Sequence, residues 1–131
     1  MYPKEKIKLN NKFLFQMHEI SLVRNVFNTL HHEFDEDTIP KIKKINIKAG
    51  VLSNIEPILM QNAFEAVVAT DSPEFKDAIL NIEILPIIIE CLTCQTKTEI
   101  KNYTFVCSSC QKPSNNIIQG NELLISGVEL Q

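Results

Sequence analysis

The sequence predicts an α+β fold: two helices on a small three-stranded sheet, with an inserted zinc-ribbon-like segment carrying four cysteines. Three observations predict it. Apolar residues recur at steps of three and four along two stretches, they alternate with polar residues along three others, and two C-x2-C pairs stand in a polar run before the last of these. The 131 residues leave room for one domain with a small insert. A hydrophobic content of 44% and a charged content of 22% suffice for a core and exclude a disordered chain. The net charge of -3 supplies no overall basic field for a phosphate backbone, and no apolar run approaches the roughly 20 residues that span a bilayer. A soluble protein with neither a nucleic-acid nor a membrane partner is therefore expected.

Residues 1–16 form a polar, Lys-rich opening, read as an N-terminal extension. The first helix, about 18–34, is marked by Ile20, Val23, Val26, Phe27, Leu30 and Phe34 along one stripe. A half-buried strand begins at Ile42, with Ile45, Ile47 and Ala49 on one face and Lys44, Asn46 and Lys48 on the other. Ser53 with Glu56 three residues later reads as a capping box, and Pro57 suits the first turn of a second helix carrying Leu59, Met60, Ala63, Phe64, Val67 and Val68. A second strand is expected over about 78–90, with Pro86 at a bulge or edge, and the last strand runs from Glu122 to Leu130. The domain arrangement expected is thus an α+β base of residues 17–90 plus 117–131 and a zinc-binding segment of residues 91–116.

Cys91, Cys94, Cys107 and Cys110 use every cysteine in the chain, and no secretory segment precedes them, so a reducing, cytoplasmic setting is expected. A C-x2-C turn aims two thiolates at one ion, and two such turns complete a tetrahedron. The histidines, His18, His31 and His32, all lie upstream of the cysteines, so an all-sulfur structural Zn(II) site with no open position for catalysis is the expectation. The segment has only Tyr103, Phe105 and Val106 to pack and depends on its ion for order. Iron fits the same sulfur geometry, and four buried but unligated thiols or two disulfides are the bland alternative.

Met17-His18-Glu19-Ile-Ser at the head of the first helix, Ala49-Gly-Val-Leu-Ser-Asn-Ile-Glu-Pro57 before the second, the two C-x2-C pairs and Gly120-Asn-Glu-Leu123 together resemble the HypA/HybF family of nickel metallochaperones for hydrogenase maturation. The resemblance covers about 17–131. It implies a protein that carries Ni(II) to nickel-iron hydrogenase, leaving open whether urease is also a client, and that is not an enzyme. It implies a nickel site at the His18 imidazole with the main chain of Met17 and Glu19, a donor set suited to square-planar Ni(II). It implies structural Zn(II) on the four cysteines. The implied partners are the GTPase HypB and the hydrogenase large subunit, and a homodimer is compatible with an insert of this kind.

In most members the Met-His-Glu element is the true amino terminus, whereas Met17 here follows sixteen residues; a start at Met17 is the expectation, and the alternative is a real extension that alters or abolishes nickel binding. Val51 stands where relatives often have glutamate, and no histidine flanks the cysteines, so no histidine-driven pH response of the zinc site is expected. Along a continuous helix His32 lies about 21 Å from His18, so the two cannot share an ion. No Ser-His-Asp set, phosphate-cradling glycine loop or paired catalytic carboxylates are present. The competing reading is a zinc-ribbon adaptor for protein interaction without nickel delivery.

Overall fold

Alternation and helical periodicity produce the main elements where they are expected. The structure, a computed structural model, describes residues 5–13 and 18–131. Its elements are β1 (Glu5–Phe13), α1 (Glu19–Glu33), β2 (Ile42–Gly50), α2 (Pro57–Thr70), β3 (Ile79–Leu85), β4 (Ile88–Glu90), β5 (Lys97–Glu99), β6 (Ile117–Gln119) and β7 (Leu123–Leu130). Two sheets result, one of four strands in the order β1-β7-β2-β3 and one of three in the order β5-β4-β6. In the larger sheet β2 and β3 are parallel, joined through α2, and β7 runs antiparallel to both β1 and β2.

Both helices pack on one face of the larger sheet. Ile45, Ile47 and Ala49 of β2 join Leu22, Val26 and Leu30 of α1 and Met60 and Phe64 of α2 in a single buried cluster. Phe27 stacks on Phe75 with ring centroids 4.1 Å apart and meets Phe64 at 5.5 Å. Each such ring or aliphatic side chain withdrawn from water contributes about 1.5–3 kcal/mol, so the core, not helix propensity, holds these elements.

Four expectations are corrected. The larger sheet has four strands rather than three, because the Lys-rich opening supplies β1: Leu9 is buried in the core cluster and Ile7 packs against it, while Lys6 and Lys8 are exposed. The strand read over 78–90 is two strands in different sheets, broken at Pro86, which has no N–H to continue a ladder. Ser53 does not cap α2. Its buried hydroxyl donates to the Gly50 carbonyl at 2.7 Å, and Asn54 in the left-handed region (φ 58°) delays the helix until Pro57, after Glu56. Ile20 and Leu59, placed on the apolar stripes of α1 and α2, are 39% and 50% exposed, and in α1 Leu22 takes the core position instead.

The two sheets meet where Gly50 and Gly120 touch. Gly50 N–H donates to Glu122 O and Leu52 N–H to Gly120 O, both at 2.7 Å, while the Glu122 carboxylate accepts the Gly120 N–H at 2.6 Å. Gly120 has φ +127°, and a Cβ there would sit 2.9 Å from Ile87 Cα. Gly120→Ala is therefore expected to lower stability by about 1–3 kcal/mol through backbone strain. Urea unfolding of the variant beside the parent checks this, and an unchanged midpoint would contradict it.

Candidate metal centre

β4 leads the chain into the first of two matched turns, and an isolated bridge between Val106 and Pro113 frames the second. Gln95 N–H donates to Cys91 O at 2.8 Å, and Cys91 N–H donates to Thr96 O at 3.0 Å. Gln111 N–H donates to Cys107 O at 3.0 Å, and Cys107 N–H donates to Lys112 O at 2.9 Å. Gln95 and Gln111 both take left-handed backbone, at φ 63° and 64°, which closes each turn immediately after its second cysteine. The turns are therefore the same device used twice. The sequence carries its signal, C-x2-C-Q at 91–95 and again at 107–111, which a search for longer repeats passes over.

The four predicted cysteines are brought together, all four Sγ atoms lying within 4.8 Å of one another. Cys91 Sγ is 3.6 Å from Cys110 Sγ, and Cys94 Sγ is 3.6 Å from Cys107 Sγ. A disulfide needs about 2.05 Å. Four sulfurs each about 2.3 Å from one tetrahedral ion stand about 3.8 Å apart, so the spacing fits a single shared metal ion. Both of the 3.6 Å pairs join opposite turns, so an ion here ties the two turns to each other. Thr98 Oγ1 accepts the Ser108 N–H at 3.1 Å and fastens β5 to the second turn, a contact that the spacing of the cysteines does not reveal.

The sulfurs are electrostatically unequal. The Thr96 hydroxyl and N–H favour the Cys94 thiolate and hold its pKa down to about 6. Backbone N–H groups of Cys94 and Thr93 lower that of Cys91. At Cys110 the Lys112 N–H favours the thiolate, but desolvation and the three neighbouring sulfurs prevail and push it up to about 11. Four sulfurs so close cannot all be charged without a counter-charge, and a divalent cation is the natural means of supplying it.

His18 and Glu19 sit apart from this cluster in sequence, at the start of α1. His18 precedes the helix and its C=O accepts the Leu22 N–H at 2.8 Å. Its imidazole is 75% exposed, and Nε2 lies 4.0 Å from the Glu19 carboxylate. Met17 lies outside the described residues. His31 does not stand alone at the helix end: its Nε2 is 2.8 Å from Glu74 Oε2, and its ring meets the Phe75 ring edge-on. His32 is exposed.

A family model described as "Hydrogenase/urease nickel incorporation, metallochaperone, hypA" matches residues 17–130. The chain belongs to the HypA family. The match begins at Met17 and takes in His18, Glu19 and all four cysteines, while β1 lies before it. The hydrogenase maturation factor HypA of Shewanella baltica strain OS185 is 34% identical over 115 residues, covering 88% of this chain and 97% of its own. That of Desulfitobacterium hafniense strain Y51 is 33% identical, with coverage of 88% and 99%. The solution structure of the Ni metallochaperone HypA from Helicobacter pylori aligns with a TM-score of 0.60 at 28% identity, covering 87% of this chain and 97% of that one. The expected family is thus shown, and with it the coarse role, nickel incorporation in hydrogenase maturation. Among the described residues, no helix is long and apolar enough to cross a membrane.

Proposed function

We propose that this chain binds one Ni(II) ion at its Met17-His18-Glu19 element and delivers it to the large subunit of nickel-iron hydrogenase, acting with the GTPase HypB. Urease is a second client of the same delivery, and the cytoplasm is its setting. The observation that carries the reading is the family match, which opens on that element and runs to residue 130. The placement of His18 supports it: an imidazole held in solvent at a helix start is accessible to an incoming ion and to the protein that receives it. Backbone N–H groups of a first helical turn have no partner within the helix, so the Glu19 nitrogen is not committed to the α1 ladder. Imidazole and deprotonated amide nitrogens suit square-planar Ni(II), and an open site of this kind releases its cargo more readily than a closed cage.

The four cysteines hold Zn(II) in this reading, as a closed structural site that takes no part in catalysis. The protein carries an ion and turns over no substrate.

Calorimetric nickel titration of the zinc-loaded protein tests the proposal, with the chain starting at Met1 and at Met17. One nickel per chain is expected, bound more tightly by the Met17 form, because its free α-amino group is a better donor than the amide that replaces it in the longer chain. A protein that holds zinc but takes up no nickel in either form would instead be the zinc-ribbon adaptor.

A further inference from the structure

The face of the larger sheet opposite the helices carries a lysine-rich surface. Residues in register on neighbouring strands share a face. Lys6 is opposite Glu129, which is opposite Lys44, and Lys8 is opposite Gly127, which is opposite Asn46. Lys48 lies one side-chain repeat beyond Asn46 on the same face, opposite Glu83 of β3. Four lysines therefore stand against two glutamates here, in a chain whose net charge is -3. Glu129, moreover, is engaged within the surface, 3.7 Å from Lys44 Nζ and accepting from Asn46 Nδ2 at 3.4 Å.

The surface is also shaped. A trough of about 480 Å³ runs over β7, with Ser126 and Gly127 as its floor, Lys6 and Lys8 on one wall and Asn46 and Lys48 on the other. The floor is low for a structural reason: a Cβ on Gly127 would come within 2.3 Å of the Ile7 carbonyl oxygen, so the approach of β1 excludes a side chain there. One wall belongs to β1, which precedes the residues that the family model matches.

We propose that this trough is a docking site for an acidic polypeptide segment of a partner protein. Its walls present cations to carboxylates; Asn46, bonded to Glu129 and Asn81, and Ser126, donating to the Asn46 carbonyl, keep a second amide hydrogen and hydroxyl lone pairs for a peptide backbone. An extended peptide is the occupant favoured over single-stranded nucleic acid, because among the described residues no aromatic ring lines the trough for a base to stack on. β1 gives this chain an attachment point that its matched portion supplies only in part. The site is separate from the nickel-binding element, so its failure would leave the proposed delivery function untouched.

The test is fluorescence anisotropy with a labelled oligoglutamate peptide and, separately, a labelled single-stranded oligodeoxynucleotide, using the full zinc-loaded chain at low salt. The peptide is expected to bind and to be released as salt rises, since exposed charges are screened. Lys6→Glu with Lys8→Glu is expected to weaken peptide binding by about tenfold or more. Lys48→Glu, on a strand held between two neighbours, is expected to weaken it in the same direction, which guards against an effect due merely to loosening of β1. Charge reversal at Lys101 and Lys112 in the cysteine lobe is expected to leave it unchanged. Peptide binding that survives reversal of all three trough lysines, absence of peptide binding, or an oligonucleotide bound as tightly as the peptide would overturn the proposal.

Discussion

Stripping the metal with a strong chelator, or replacing Cys94 by serine, is expected to abolish amide protection across residues 91–116 and leave the helices folded. The physical imbalance behind this is large. Among the described residues, the cluster beneath the cysteine lobe contains only Ile87, Ile89 and Ile100 as fully buried aliphatics, with Phe105 and Ile117 partly buried, whereas the base holds more than twenty buried residues in one cluster. Structural zinc contributes an apparent 10–16 kcal/mol or so in small zinc peptides, more than the aliphatic contacts of this lobe can replace. Loss of the ion also leaves four sulfurs in mutual contact with no counter-charge. Hydrogen exchange read by mass spectrometry checks the outcome segment by segment. Protection at Cys107 and Gln111 amides that persists after verified zinc loss would show that the two turns hold without the ion.

Replacing His18 by alanine is the second large effect expected: nickel binding falls by at least about a hundredfold while zinc content stays at one per chain. A tenfold change corresponds to about 1.4 kcal/mol, and loss of the sole imidazole from a one-histidine site should cost at least twice that. Because the His18 side chain is exposed and makes no cap hydrogen bond, the substitution should leave α1 and the fold intact. Calorimetry for nickel and elemental analysis for zinc measure the two separately. Equal nickel uptake by His18→Ala would remove the Met17-His18-Glu19 assignment, whatever the fate of the cysteine site.

Much of this fold was readable because burial imposes period. The stripe of Val23, Val26, Phe27 and Leu30 and the alternation from Ile42 to Ala49 both follow from one face being withdrawn from water. Edge strands need far less apolar matter. Among its described side chains, β1 contributes Ile7 and Leu9 to the interior between exposed Lys6 and Lys8, and that two-residue alternation looks like a polar tail until β7 is present to pair with it. The capping box failed for a different reason. Ser53 and Glu56 have the right spacing, but the identity of Asn54 does not announce that it will enter the left-handed region and postpone the helix. The sulfur cluster was legible because ligand spacing is a chemical requirement, whereas the Gly50–Gly120 junction that joins its lobe to the base depends on two segments seventy residues apart meeting backbone to backbone.

β1 makes residue 18 a tethered point. Its last residue, Phe13, is paired with Leu124 at the end of β7 that leaves the Gly120 junction, and His18 follows Phe13 by five residues. At about 3.6 Å per residue, that length of chain keeps His18 within roughly 18 Å of Phe13. Backbone pairing holds the chain on one side of this interval and α1 holds it on the other. A residue on an untethered amino-terminal tail would sample a wide volume; residue 18 is instead held within reach of the end of the sheet from which the cysteine lobe departs. On the proposed reading, nickel would therefore be taken up within roughly 18 Å of the strand end that leads to that lobe.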